Sequence, residues 1–98
     1  MENLTPNLSS QEKFQIWVET NAPGIAYLWN WEQMEVNLEQ AQKFLDFASH
    51  GEAVMARFMV GVWLGRNELN FDIFEARGVL DQKQLQVVLD WIKTPFWP

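Results

Sequence analysis

The sequence contains no cysteine among its 98 residues and only one histidine. The absence of cysteine excludes a disulfide framework, a thiolate metal site and a cysteine nucleophile. With a single imidazole, any metal site would be built mostly from carboxylates, and such a pattern is too common to indicate a metal. We therefore expect no metal and no cofactor.

Basic residues are also scarce. Seven Lys and Arg stand against thirteen Asp and Glu, which leaves a formal charge of −6. Proteins that bind nucleic acid neutralise its phosphates with Lys and Arg, and the same residues hold proteins to anionic membranes. We therefore expect neither nucleic acid nor a membrane as a direct partner.

Long apolar stretches are missing as well. The longest uncharged apolar run, residues 58–65, is far below the roughly 20 residues that cross a bilayer. The first ten residues lack the basic start and apolar run of a signal peptide. The sequence therefore predicts a cytoplasmic protein.

Recognisable catalytic motifs are absent: there is no phosphate-binding glycine loop, no zinc-protease histidine pair and no nucleophile elbow. His50 is the remaining candidate for acid–base chemistry, and it would need a carboxylate such as Glu52 or one from a remote segment. A His-Gly pair beside Ser49 is more typical of a turn between helices. We predict that the protein is not an enzyme, with a small enzyme using His50 and a carboxylate as an alternative.

Helix signals are frequent. Ser9, Ser49 and Asp81 are each followed three residues later by Glu or Gln, which is the spacing of a capping box. Residues 52–64 are apolar almost all round, as in a buried helix. We predict an all-α fold in which four to five helices surround a central helix at about 52–64. Residues 9–98 form this single domain, and residues 1–8 form a flexible arm.

Two segments are ambiguous. Apolar residues recur every three or four positions through 25–49, which indicates helix with a break or bend at Asn37. Residues 70–80 fit a short helix capped by Asn70. Alternation at Leu69, Phe71 and Ile73 leaves open an α+β alternative, in which residues 58–74 form a hairpin around the turn 65–67.

Aromatic residues are what the chain has in excess, with six Trp, seven Phe and one Tyr. Tyr27, Trp29 and Trp31 lie within five residues, so on one helix at least one ring should reach the surface. The C-terminal segment 95–98 carries Phe96 and Trp97, and a free tail of this kind would be an apolar patch. We expect this segment to fold back over the core, with the 27–31 surface as one place where it could pack. The other interpretation is that it docks into a partner.

Carboxylates follow the aromatic segment. Glu32, Glu35, Glu39 and Asp46 have the spacing of one helix face, with Lys43 inserted. The leading hypothesis is a noncatalytic interaction module that binds an unidentified protein, or a second copy of itself, through surface aromatics beside this acidic face. The alternative is an acidic inhibitor or nucleic-acid mimic that binds a basic nucleic-acid-handling protein. The predicted contact residues are Tyr27, Trp29, Glu32, Glu35, Glu39, Phe96 and Trp97.

Overall fold

A computed structural model describes residues 7–98, which contain five α-helices, one 3-10 helix and one antiparallel pair of short strands. The α-helices are α1 (Ser10–Asn21), α2 (Leu38–Phe47), α3 (His50–Leu64), α4 (Ile73–Val79) and α5 (Gln82–Lys93). Between α1 and α2 lie the 3-10 helix Pro23–Leu28 and the strands β1 (Trp29–Asn30) and β2 (Glu35–Val36). The mostly helical fold is thus confirmed. The predicted arm, residues 1–8, lies outside the described residues except for positions 7 and 8.

The predicted capping boxes all form. The Ser9 hydroxyl accepts from the Glu12 N–H at 3.1 Å, and the Glu12 carboxylate accepts from the Ser9 N–H at 2.9 Å. Ser49 starts α3 and Asp81 starts α5 with the same reciprocal pattern. Each box satisfies amide groups that the first helical turn leaves without partners. Short polar motifs therefore set where three of the five α-helices begin.

The prediction of helix is wrong for residues 29–36, which form a hairpin, whereas residues 25–28 belong to the 3-10 helix. The strands pair Trp29 with Val36 and Asn30 with Glu35, and the Asn30 side-chain oxygen accepts from the Gln33 N–H at 3.2 Å inside the turn. The helical spacing of the apolar residues there is overridden by tertiary packing, because Trp29 and Trp31 both pack against Trp63 of α3, with ring centroids 6.3 and 6.1 Å away. The predicted break at residue 37 is confirmed.

In the segment after α3, the short helix predicted within 70–80 is confirmed as α4, whereas the alternative hairpin and the predicted cap at Asn70 are not formed. In place of a hairpin at 58–74, α3 continues to residue 64 and ends at Gly65, whose φ is 70°. Asn70 does not cap α4; Asp72 does, accepting from two amides of the first turn. Between them, the Asn67 side chain accepts from the Phe71 N–H at 2.6 Å and donates to its carbonyl oxygen at 2.8 Å. This bonding holds the loop in a non-helical path until residue 72.

Helix α3 is the centre of the core, as predicted. Its buried residues lie on every side of the helix, and none of them is charged. The rings of Phe14, Trp29, Trp31 and Trp63 pack around one another with centroids 5.0–6.3 Å apart. Such tilted and edge-to-face pairs add to the free energy gained from apolar burial. No helix in residues 7–98 is both long enough and apolar enough to cross a membrane.

Candidate functional site

The aromatic residues at 27–31 are divided between the core and the surface. Trp29 is only 5% exposed, so its prediction as a partner-binding residue is corrected: the ring belongs to the core. Trp31 is half-buried, and its indole N–H donates to the Ala26 carbonyl oxygen at 3.1 Å. Tyr27 stays 49% exposed. One ring of the three therefore reaches the surface substantially, and it is the tyrosine.

The C-terminal segment folds back, as expected, but onto α1 and α5 instead of the 27–31 surface. The Phe96 ring meets Trp17 edge-on at 4.9 Å. Trp97 packs against Trp91 at 5.0 Å and remains 55% exposed. Phe96 is therefore part of the packed fold, whereas Trp97 remains on the surface.

Tyr27 is the first of three rings that contact one another in sequence and continue onto α2. Its centroid lies 6.1 Å from that of Phe44, and Phe44 lies 5.8 Å from Phe47. Phe44 is buried in the core, whereas Phe47 is 73% exposed. We call Tyr27, Phe44 and Phe47 the aromatic face. Phe44 packs against both exposed rings and connects them to the core.

The placement of Tyr27 beside α2 follows from the hairpin. The Asn37 N–H donates to the Leu28 carbonyl oxygen at 2.8 Å, which ties the start of α2 to the end of the 3-10 helix. The Asn37 side chain then accepts from the Gln40 N–H at 2.9 Å and begins the helix. The chain thereby turns back so that Tyr27 packs across α2.

Carboxylates border the aromatic face. Glu39, Lys43 and Asp46 occupy one exposed side of α2, and Phe47 lies beside them at the edge nearer Phe44. Lys43 is engaged with Glu39, the Nζ–Oε1 distance being 3.4 Å. The predicted single helix face is not formed, because Glu32 lies in the hairpin turn and Glu35 in β2. The carboxylates instead come from the hairpin and from α2.

A second apolar surface lies near the other end of α3. It is a groove of about 290 Å³ between the C-terminal end of α3, the loop after it and the end of α5. Gly61 and Gly65 line it without side chains to fill it, and Ile92 and Trp97 line it as half-exposed residues. Two polar side chains also line the groove: Asn67, whose amide makes two hydrogen bonds to the Phe71 backbone, and Arg66, whose Nε donates to the Glu68 carboxylate at 2.6 Å.

His50 has a carboxylate partner, from a remote segment. Its Nε2 lies 3.0 Å from Glu75 Oε2, and both side chains reach solvent. The neighbouring Ser49 hydroxyl donates to the Glu52 carboxylate at 2.8 Å and is not directed at the imidazole. No cluster of three or more His, Cys, Asp or Glu residues suitable for a metal ion occurs within residues 7–98. The pair joins α3 to α4, and within residues 7–98 no hydroxyl group is hydrogen-bonded to the imidazole.

Comparison with known proteins provides no further assignment. No protein-family model matches the chain. No curated protein and no solved structure matches it significantly. Its own surfaces are therefore the basis for assigning a function.

Proposed function

We propose that this protein is a noncatalytic protein–protein interaction module that binds its partner through the aromatic face. The supporting observation is the continuity of Tyr27, Phe44 and Phe47, two rings exposed and the third buried beneath them. Aromatic side chains held on a rigid scaffold are common anchors of protein interfaces, because they bury a large area while losing little conformational freedom.

The other two functions have weaker support from the geometry. A nucleic-acid mimic needs carboxylates in a regular array, and Glu32, Glu35 and Glu39 lie on three different elements. An enzyme built on His50 needs an activated nucleophile or a bound substrate beside the imidazole, and the adjacent hydroxyl of Ser49 is bonded to Glu52. The aromatic face requires no such additional group.

Site-specific photo-crosslinking tests the proposal. A benzophenone side chain is introduced at position 47 or, as the matched control, at position 92, and each protein is irradiated in native lysate. Ile92 is a suitable control because it is an exposed apolar residue, 49% exposed against 73% for Phe47, and lies near the opposite end of α3. We expect a discrete adduct from position 47 that position 92 does not form. Adducts of equal yield from both positions, or none from position 47, would contradict the proposal.

A further inference from the structure

We propose that the partner segment received by the aromatic face is a basic amphipathic helix, which presents apolar side chains to the rings and Lys or Arg to the carboxylates beside them. This inference rests on the proposed function and adds the chemistry of the partner. It depends on the charge around the face, on the position of Asp46 and on the shape of α2.

The charge around the aromatic face is negative. On the exposed side of α2, Glu39 and Asp46 outnumber Lys43 and leave a net charge of −1, and residues 25–49 as a whole carry −3. The single ammonium group, that of Lys43, is already held by Glu39 at 3.4 Å. An apolar patch with such a border attracts a partner that is apolar and cationic, since complementary charge speeds association and disfavours acidic competitors.

Asp46 lies where local helix stability argues against it. It is in the last turn of α2, where backbone carbonyls already concentrate negative charge, and that turn has no basic residue. Glu39 differs, because a carboxylate in the first turn favours the helix. A cation from outside the chain would offset the unfavourable charge of Asp46, and Phe47 beside it would contact the same partner.

The shape of the surface selects a helix over a strand. β1 and β2 contain two residues each, which is too short an edge for an extended peptide to add a strand. Helix α2 has ten residues, and its exposed side is a ridge that carries Glu39, Lys43, Asp46 and Phe47 at helical spacing. A second helix could pack along this ridge. Its side chains at three- and four-residue intervals would then meet both the charged residues and Phe47 of α2.

A second copy of the chain is a poor occupant. In a two-fold dimer the same face would meet itself, so carboxylates of one copy, Glu39 and Asp46, would approach carboxylates of the other. Like charges placed together across an interface are unfavourable. A basic partner removes this repulsion.

The test uses the full chain and three labelled helical peptides of about 14 residues, long enough for partial helicity in water. The first peptide has Leu at the apolar positions of a heptad repeat and Lys at the others. The second has Glu in place of Lys. The third has the composition of the first in scrambled order. Binding is followed by fluorescence anisotropy. We expect the Leu/Lys peptide to bind most tightly and to weaken at least about tenfold between roughly 0.02 and 0.5 M salt, as screening predicts.

Variants of the chain locate the binding. Phe47→Ser should lower the affinity for the Leu/Lys peptide about tenfold or more, because an interface anchor is lost. Ile92→Ser should leave the affinity unchanged. Glu39→Gln with Asp46→Asn should reduce both affinity and its salt dependence. Since Phe47→Ser alters an exposed ring, far-UV circular dichroism should show an unchanged fold, and Asp46→Asn alone provides a second, milder variant.

The outcomes separate the two proposals. Equal binding of the Leu/Glu or scrambled peptide, or no loss on Phe47→Ser, overturns the basic helix while leaving the crosslinking result to decide the interaction module. If position 47 crosslinks to a partner but the Leu/Lys peptide does not bind, the interaction module is supported and the basic helix is overturned. Light scattering that shows a dimer disrupted by Phe47→Ser would identify a second copy as the occupant and overturn the basic helix.

Discussion

The indole N–H of Trp91 donates a hydrogen bond to the carbonyl oxygen of Phe96 at 2.9 Å. This bond closes the chain back on α5 after the helix ends at residue 93. It places the Phe96 ring edge-on against Trp17 of α1, at 4.9 Å. The C-terminal segment thus connects the first and last α-helices of the fold.

Removal of residues 95–98 should therefore destabilise the protein. We expect a chain ending at Thr94 to lose about 2 kcal/mol of unfolding free energy, because a half-buried phenyl ring is removed and the Trp91 N–H loses its acceptor. Urea unfolding followed by circular dichroism measures the change. Trp97→Ala is the control and should cost less, since that ring is mostly exposed. Equal midpoints for the full and shortened chains would show that the segment contributes no stability.

Trp29 and Trp31 should respond differently to loss of their indole N–H. Replacing the indole by benzothiophene keeps ring size and removes the donor. At Trp31 this should lower the unfolding free energy by about 1 kcal/mol, because the bond to the Ala26 carbonyl is lost. At Trp29, whose buried N–H has no acceptor among the described residues, stability should stay the same or increase. Thermal unfolding of both proteins provides the comparison, and equal losses would mean that the Trp29 N–H also has an acceptor.

Two glycines should give opposite results when changed to alanine. Gly65 has a φ of 70° at the end of α3, a conformation that costs an L-residue about 1 kcal/mol, so Gly65→Ala should destabilise. Gly78 lies within α4, and an added Cβ would meet nothing within 4 Å. Gly78→Ala should therefore stabilise by about 0.5–1 kcal/mol. Chemical denaturation of the pair checks both signs, and a loss of stability in Gly78→Ala would be the unexpected result.

Helix starts were predictable because their causes are local. Ser9, Ser49 and Asp81 bond to amides three residues away, so the sequence window contains both partners. The hairpin at 29–36 has a non-local cause. Its Trp29 and Trp31 pack against each other and against Trp63 of α3. This packing favours the hairpin even though the apolar residues of the segment have helical spacing.

The candidate site was predictable only in part for the same reason. Tyr27 and Glu39 belong to the surface and its border as expected, whereas Phe44 and Phe47 were not foreseen. In the sequence, Phe47 lies outside the apolar stripe that α2 buries, and this position alone indicated that its ring would be exposed. Its junction with Tyr27 depends on the hairpin, which brings the 3-10 helix across α2.

Asp46 and Glu39 carry the last prediction, because they lie at opposite ends of α2 with the same charge. Asp46→Asn should raise the unfolding free energy by about 0.3–1 kcal/mol, since it removes negative charge from the C-terminal turn. Glu39→Gln should lower it by a similar amount, through the N-terminal turn and the contact with Lys43. Urea titrations at low salt measure both, and high salt should diminish both. If Asp46→Asn is the more stable protein and yet binds the Leu/Lys peptide more weakly, the carboxylate serves the partner and not the helix. A destabilised Asp46→Asn would assign it a structural role instead.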